Sequence, residues 1–327
     1  MTLITQAGEA FPGIKGVKES SLSTVKAPNF LIVGAAKSGT TSLYHYINGH
    51  PEVFMPKDKE PMFFVSNIYS RISRNDPRHP IADRAVVTRF EDYLKLFGSA
   101  QDGVSARGEA SAAYLFYHET AIPAIKRCLG DIKIIIILRN PIDRAFSSYC
   151  HLVRDGVESR SFEAFLAEES RRRHENWDIL NFPKALGLYY EQVKAYLDAF
   201  SEVKVLLLDE LKAERAAVLR DVFAFLEIDE HYTPPVQQVF NNSGRPKNQT
   251  LHRLISSRHP LKVMATSALK KVFPEHKVAK LKSTIKGKNT VKPKIDPQTR
   301  EELKQFFVED LKKTQDLIGK DLSHWLN

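Results

Sequence analysis

The stretch Asn29-Phe-Leu-Ile-Val-Gly-Ala-Ala-Lys-Ser-Gly-Thr-Thr-Ser-Leu-Tyr44 decides how the rest of the chain is read. Phe30 to Val33 is a short apolar run and reads as a buried strand. Gly34 to Gly39 reads as a tight turn of small residues, and Thr40 to Asn48 as a helix. The first N–H groups of a helix have no intrahelical partner, so strand, small-residue loop and helix N-terminus together make an anion site. Backbone amides plus Lys37 suit a group with several negative oxygens, a phosphate or a sulfate. Gly34 and Gly39 have the spacing of the nucleotide loop G-x-x-x-x-G-K-[ST], but Thr40 stands where that loop has its lysine. The lysine has moved inside, to Lys37.

A second signal fixes the sheet. Lys133-Ile-Ile-Ile-Ile-Leu-Arg139 is apolar enough to be a central parallel strand buried on both faces. It ends in Arg139-Asn-Pro-Ile-Asp143, and Pro141 opens the helix that follows. Ligands of open α/β sheets bind beyond the carboxyl ends of the strands, which puts Arg139 at the same edge as the Lys37 loop. Many nucleotide hydrolases and kinases end this strand in an acid that organises magnesium. Arginine here points to chemistry without a metal.

Further strands are expected over Val104–Glu109 and Val203–Leu208. Helices are expected over Phe90–Phe97, from Ser111 through about Cys128, and over Ser161–Glu175, Leu186–Phe200 and Ala213–Leu226. A long amphipathic helix over Pro297–Ile318 is capped at Asp296 and closed by Gly319. Ser66–Arg84, with Pro77 and Pro80, reads as a long loop. The fold class is therefore α/β, a P-loop-type three-layer arrangement with a mainly parallel central sheet flanked by helices. Residues 1–27 read as a flexible polar leader and 28–327 as one domain.

Composition narrows the function. The net charge of +9 is concentrated late in the chain: residues 245–294 hold 14 Lys or Arg and a single acid, Glu275. The remainder has 34 basic and 38 acidic residues, so the body is mildly acidic. Such a segment suits an anionic ligand or surface. Its one aromatic, Phe273, gives little for stacking bases, so nucleic acid is not the expected partner. No run approaches the ~18 apolar residues of a membrane span, and the leader lacks an apolar core of signal-peptide length. Two cysteines, Cys128 and Cys150, are expected as buried reduced thiols, and a cytoplasmic address follows.

These residues resemble those of the sulfotransferases that use 3′-phosphoadenosine 5′-phosphosulfate (PAPS), and the resemblance runs from about Asn29 to Trp325. Phe30-Leu-Ile-Val-Gly-Ala-Ala-Lys37-Ser-Gly-Thr-Thr41 is similar to that family's 5′-phosphosulfate loop, in which the lysine lies inside the loop. The resemblance implies that Lys37, Ser38, Gly39, Thr40 and Thr41 bind the 5′-phosphosulfate. Leu138-Arg139-Asn-Pro-Ile-Asp-Arg-Ala-Phe-Ser147 is similar to the 3′-phosphate signature, which implies Arg139 and Ser147 as that group's ligands. Lys59-Glu60-Pro-Met-Phe-Phe64 resembles the segment carrying the catalytic glutamate of the heparan-type carbohydrate sulfotransferases, so Glu60 is the implied base. Ser243-Gly244-Arg245 resembles the loop that covers the donor, which brings in Gly244 and Arg245. His151 lies four residues past Ser147 on the same helix face and is a reserve base.

The implied reaction is in-line, metal-free transfer of a sulfuryl group from PAPS to a hydroxyl or amine, leaving adenosine 3′,5′-bisphosphate. A saccharide acceptor is favoured through Glu60. One departure pulls the other way: Glu109-Ala110-Ser-Ala-Ala-Tyr114 has alanine where the heparan-type enzymes often carry an acceptor-side lysine, which favours the hydroxyl of a small natural product or lipid. A P-loop kinase or hydrolase remains the alternative of a different class.

Overall fold

The computed structural model of the protein describes residues 27–79, 86–233, 245–246, 290–291 and 294–326. In chain order the elements are β1 (Phe30–Gly34), α1 (Thr40–Ile47), β2 (Val53–Phe54), α2 (Ser66–Tyr69), α3 (Phe90–Lys95), β3 (Ala106–Ala110), α4 (His118–Leu129) and β4 (Lys133–Leu138). They continue with α5 (Pro141–Asp155), α6 (Phe162–Ala167), α7 (Glu169–His174), α8 (Tyr189–Ala199), β5 (Val203–Leu207), α9 (Leu208–Ala213) and α10 (Arg215–Phe225). Short strands β6 (Arg245–Pro246) and β7 (Thr290–Val291) pair with each other, and α11 spans Pro297–Ile318.

Five strands form one sheet in the order β2-β3-β1-β4-β5, and every pairing in it is parallel. The sheet is buried on both faces, and the strands show it residue by residue. Leu31 and Val33 of β1 and Ile134, Ile136 and Leu138 of β4 belong to one core. Their neighbours Phe30, Ile32, Ile135 and Ile137 point into the other. Successive side chains of a strand alternate between faces, so an unbroken apolar run needs a helical layer on each side. Helices α1 and α10 contribute to the second core; α4, α5, α8 and α11 contribute to the first. The three-layer α/β arrangement is the one expected.

Because β1 and β4 are adjacent and parallel, the turns leaving their C-terminal ends share one edge of the sheet. The helix that follows β4 is fixed by local chemistry. Asn140 caps α5, its side-chain oxygen accepting from the amides of Ile142 and Asp143, with Pro141 in the first turn. Asp296 caps α11 in the same way, accepting from Thr299 N, and Gly319 closes that helix at φ 63°. Helix α11 lies against α5 and α8. Beyond it Trp325 is buried, and its carbonyl accepts from Asn140 Nδ2 at 2.9 Å. The end of the described chain thus braces the residue next to Arg139.

Several boundaries differ from expectation. The helix expected over Ser161–Glu175 is two short ones, α6 and α7, which meet at Glu168. The expected loop from Ser66 opens instead with the single helical turn α2. The strand β2, wedged between Pro51 and Pro56, has only two residues and no readable periodicity. Cys128 and Cys150 are both buried, and neither is disulfide-bonded. The leader up to residue 26, Gly244 and most of the basic segment 245–294 lie outside the described residues, as does the Arg245 side chain. The β6 backbone at Arg245 runs against α5.

Candidate active site

The loop between β1 and α1 is shaped by two glycines. Gly39 sits at φ 97°, in the left-handed region, and a Cβ there would lie 2.7 Å from Leu208 Cδ1. At Gly34 a Cβ would lie 2.4 Å from Leu115 Cβ, so only glycine lets the 112–115 turn close over the loop. That turn is held by Leu115 N donating to Val33 O at 2.8 Å. Thr40 and Thr41 open α1 with amides that have no intrahelical acceptor. Ser38 behaves differently from the expectation that its amide would bind an anion, because that N–H donates back to Ala35 O at 3.1 Å. Its side chain is fully buried, and its Oγ faces the Tyr189 hydroxyl without making a well-formed hydrogen bond among the described residues.

Lys37 is held at φ 69°. Glu60 is held at φ 66°. Only five non-glycine residues among those described have a positive φ, and these two are the ones singled out from the sequence as base and phosphate ligand. A left-handed non-glycine residue costs on the order of 1–3 kcal/mol and persists where the surrounding structure over-determines it. For Glu60 the surroundings are visible. Pro61 follows it, Met62 is also left-handed at φ 55°, and Met62 N donates to the buried Ser111 Oγ at 3.2 Å. Phe63 and Phe64 then anchor the turn against Tyr93 and Tyr114. The Glu60 carboxylate, about a third exposed, meets Lys59 Nζ at 2.5 Å.

Charge gathers around Lys37. Burial, more than anything else, lowers its pKa from 10.5 to about 8, and Arg154 and Arg78 lower it further while Glu60 and Asp155 oppose them. His151 is lowered to about 2, first by burial and then by Lys37, Arg154 and Arg78. Its Nε2 lies 3.3 Å from Asp155 Oδ2, but one carboxylate does not offset burial and three cations. Arg154 reaches the His151 Nδ1 directly. The fold therefore brings Lys37, Glu60 and His151 into one electrostatic neighbourhood.

Arg139 joins that neighbourhood from the end of β4. Its Nη1 donates to Lys37 O at 3.2 Å, so the guanidinium braces the loop as well as flanking it. Its carbonyl accepts from Tyr189 OH at 2.8 Å. Ser147, nearly buried, lies in the second turn of α5.

Four charged residues at the site were not read from the sequence in this role. Arg154 and Asp155 follow His151 at helical spacings of three and four, a signal that was legible. Arg78 sits in a segment without periodicity. Glu109, at the end of β3, is buried and pushed up to about 7 by desolvation, partly offset by Ser111 and Tyr114. Its oxygens make no well-formed hydrogen bond, although Ser111 and the phenols of Tyr93 and Tyr114 stand around them. Among the described residues no three His, Cys, Asp or Glu side chains are grouped to hold a metal, and no helix is long and apolar enough to cross a membrane.

Comparison with known proteins agrees with this geometry. A profile of the sulfotransferase family matches residues 28–234, which include both the Lys37 loop and the Arg139 strand end. A solved sulfotransferase from Alicyclobacillus acidocaldarius is 32% identical, covers 93% of this chain and all of its own, and superposes with a TM-score of 0.70. The mouse bifunctional heparan sulfate N-deacetylase/N-sulfotransferase 4 is 27% identical over 218 residues, 63% of this chain and 23% of its own length. Mouse carbohydrate sulfotransferase 15 is 25% identical over 278 residues, 68% of this chain and 48% of its own. The chain thus spans about half or less of these two curated relatives. With the loop and the strand end both inside the matched region, the chain belongs to the sulfotransferase family.

Proposed function

We propose that the protein moves a sulfuryl group from PAPS to an acceptor hydroxyl or amine, in line and without a metal, and that the acceptor is a saccharide. The observation that carries the donor is the Arg139 to Lys37 contact. One guanidinium at the β4 end touches the loop after β1, so the residues read as ligands of a 5′-phosphosulfate and of a 3′-phosphate are neighbours, which supports this reading. The buried Ser38 hydroxyl and the desolvated Lys37 ammonium both fit an anion with several oxygens.

In this reading the acceptor oxygen attacks sulfur as the bond from sulfur to the 5′-phosphate oxygen breaks. Lys37 and the amides at Thr40 and Thr41 neutralise charge developing on the leaving phosphate, a contribution of ~100- to 1,000-fold for one preorganised donor. Arg139 and Ser147 hold the 3′-phosphate, and Gly244 and Arg245 are assigned to covering the donor by the resemblance alone. Glu60 takes the acceptor proton. A pKa of about 2 makes His151 a poor proton acceptor in the free protein, so positioning suits it better than the role of base.

A small natural product or lipid hydroxyl is the second reading of the acceptor. It is favoured by Ala110, which is 1% exposed and offers no cation where the heparan-type enzymes have one. The strand end at Arg139 argues against kinase or hydrolase chemistry, which needs an acid for magnesium. The test is calorimetry with adenosine 3′,5′-bisphosphate. Wild type should prefer it to the 5′-monophosphate, and Arg139→Ala should weaken binding by roughly 10- to 150-fold and lose that preference. Survival of the preference in the variant would overturn the donor assignment.

A further inference from the structure

Arg78 has no part in the mechanism above, yet it lies among the same charges. It belongs to the irregular segment between α2 and α3, and its backbone is pinned. Arg78 N donates to Asp76 Oδ1 at 2.8 Å, while Asp76 Oδ2 accepts from Asp178 N at 2.5 Å. Asn181 Nδ2 adds a 3.4 Å contact to the same carboxylate, and Ser73 N donates to Asn176 O at 2.9 Å. Two segments a hundred residues apart in sequence are therefore joined around this arginine.

The guanidinium is held less closely than the backbone. Nε lies 3.4 Å from Asp178 Oδ1 and Nη1 lies 3.6 Å from Asp155 Oδ2, with the side chain 14% exposed. Neither nitrogen has a hydrogen-bond acceptor among the described residues. Buried donors are nearly always satisfied, and one that is not asks for an explanation. The neighbours supply it. Asp155 Oδ2 is shared with His151 Nε2, and Arg154 stands on the other side of that imidazole. The charge of Arg78 acts on both Lys37 and His151. Asp178 flanks the guanidinium at Nε and Asp155 at Nη1, and through Asp155 it joins the cluster of His151 and Arg154 whose charges act on Lys37. Such a gathering of cations suits a group with several anionic oxygens.

We propose that Arg78 is a further donor-binding residue that takes the oxygens of the sulfuryl group itself, not those of either phosphate. The inference rests on the PAPS reading above. Asp155 and Asp178 act as positioning residues, fixing the guanidinium before the ligand arrives so that little reorganisation accompanies transfer.

PAPS and adenosine 3′,5′-bisphosphate differ by the sulfuryl group alone, so their two affinities isolate this contact. Both are measured by calorimetry, without acceptor, for wild type and Arg78→Gln. The variant should bind PAPS about tenfold or more weakly and the bisphosphate as wild type does. Equal weakening of both, or no weakening of PAPS, overturns the proposal and leaves Arg78 a structural or acceptor-side residue. Should Arg78→Gln fail to fold, Arg78→Lys keeps the charge between the two aspartates, and the same selective loss for PAPS is expected in smaller measure. If wild type binds neither nucleotide, the donor reading itself has failed and this inference falls with it, an outcome distinct from the previous one.

Discussion

Replacing Lys37 by methionine should make the protein more stable and useless as a sulfotransferase. The magnitude follows from the buried ammonium. Its pKa falls from 10.5 to about 8 on folding, chiefly through burial. At 1.36 kcal/mol per unit, keeping it charged costs the folded state about 3 kcal/mol. The sign is set by proton counting. Below pH 8 the lysine is charged in both states and the whole cost is present; between pH 8 and 10.5 the folded lysine is neutral and the unfolded one charged, so wild-type stability rises with pH. Lys37→Met keeps the apolar stem and the same backbone turn and removes the cost. Urea unfolding should therefore place the variant about 3 kcal/mol above wild type at pH 7, narrowing to about 1 kcal/mol at pH 10. Binding of adenosine 3′,5′-bisphosphate, followed as ligand-induced stabilisation, should be lost in the variant. No stability gain at pH 7, or a gain that does not shrink with pH, would refute the claim that Lys37 is held desolvated for an absent anion.

Three more outcomes are expected. Glu60→Gln should lower turnover by roughly 100- to 10,000-fold while leaving bisphosphate affinity unchanged; undiminished transfer of labelled sulfate would remove Glu60 from the mechanism. His151, with its pKa moved from 6.5 to about 2, should stay neutral in NMR titrations of the free protein from pH 8 down to pH 4. Protonating it opposes folding, so its contribution to stability is complete above pH 6.5 and is lost as pH falls toward 2; a measured pKa near 6 would show the imidazole solvated. Gly34→Ala would push a methyl to 2.4 Å from Leu115 Cβ and should cost about 1–3 kcal/mol in urea unfolding, with the Lys37 loop displaced; wild-type stability would show that the turn can move aside at no cost.

What could be read in advance follows the physics of repetition and local closure. The strands β1 and β4 were legible because a strand buried on both faces has no polar positions to interrupt it. The caps at Asp296 and Gly319 fixed α11 to the residue. The strand β2 was not legible, since two residues cannot display a period. At the site, Lys37 was read from the chemistry of its loop and Glu60 from resemblance to a known segment, whereas their shared left-handed backbone belongs to the three-dimensional turn alone. Glu109 looks like an ordinary strand-end charge; its elevated pKa arises only from its burial in the folded core, which Ser111 and Tyr114 partly offset. Arg78 was hidden for a related reason. Its partners Asp155 and Asp178 come from distant segments, and nothing in an aperiodic stretch marks which of its several arginines turns inward.

The two tryptophans of this chain are tied to different parts of the site. Trp325 is buried behind the Arg139 strand end, its carbonyl on Asn140 and its indole N–H on Asp209 Oδ2 at 2.9 Å. Trp177 sits between Asn176 and Asp178, the residues that tie down the Arg78 segment, with Arg171 and Arg172 against its ring. Trp177→Phe and Trp325→Phe would each leave a single tryptophan, one behind the Arg139 strand end and one beside the Arg78 segment. Intrinsic fluorescence then resolves the arrival of a nucleotide into two signals, with no label attached and no acceptor known.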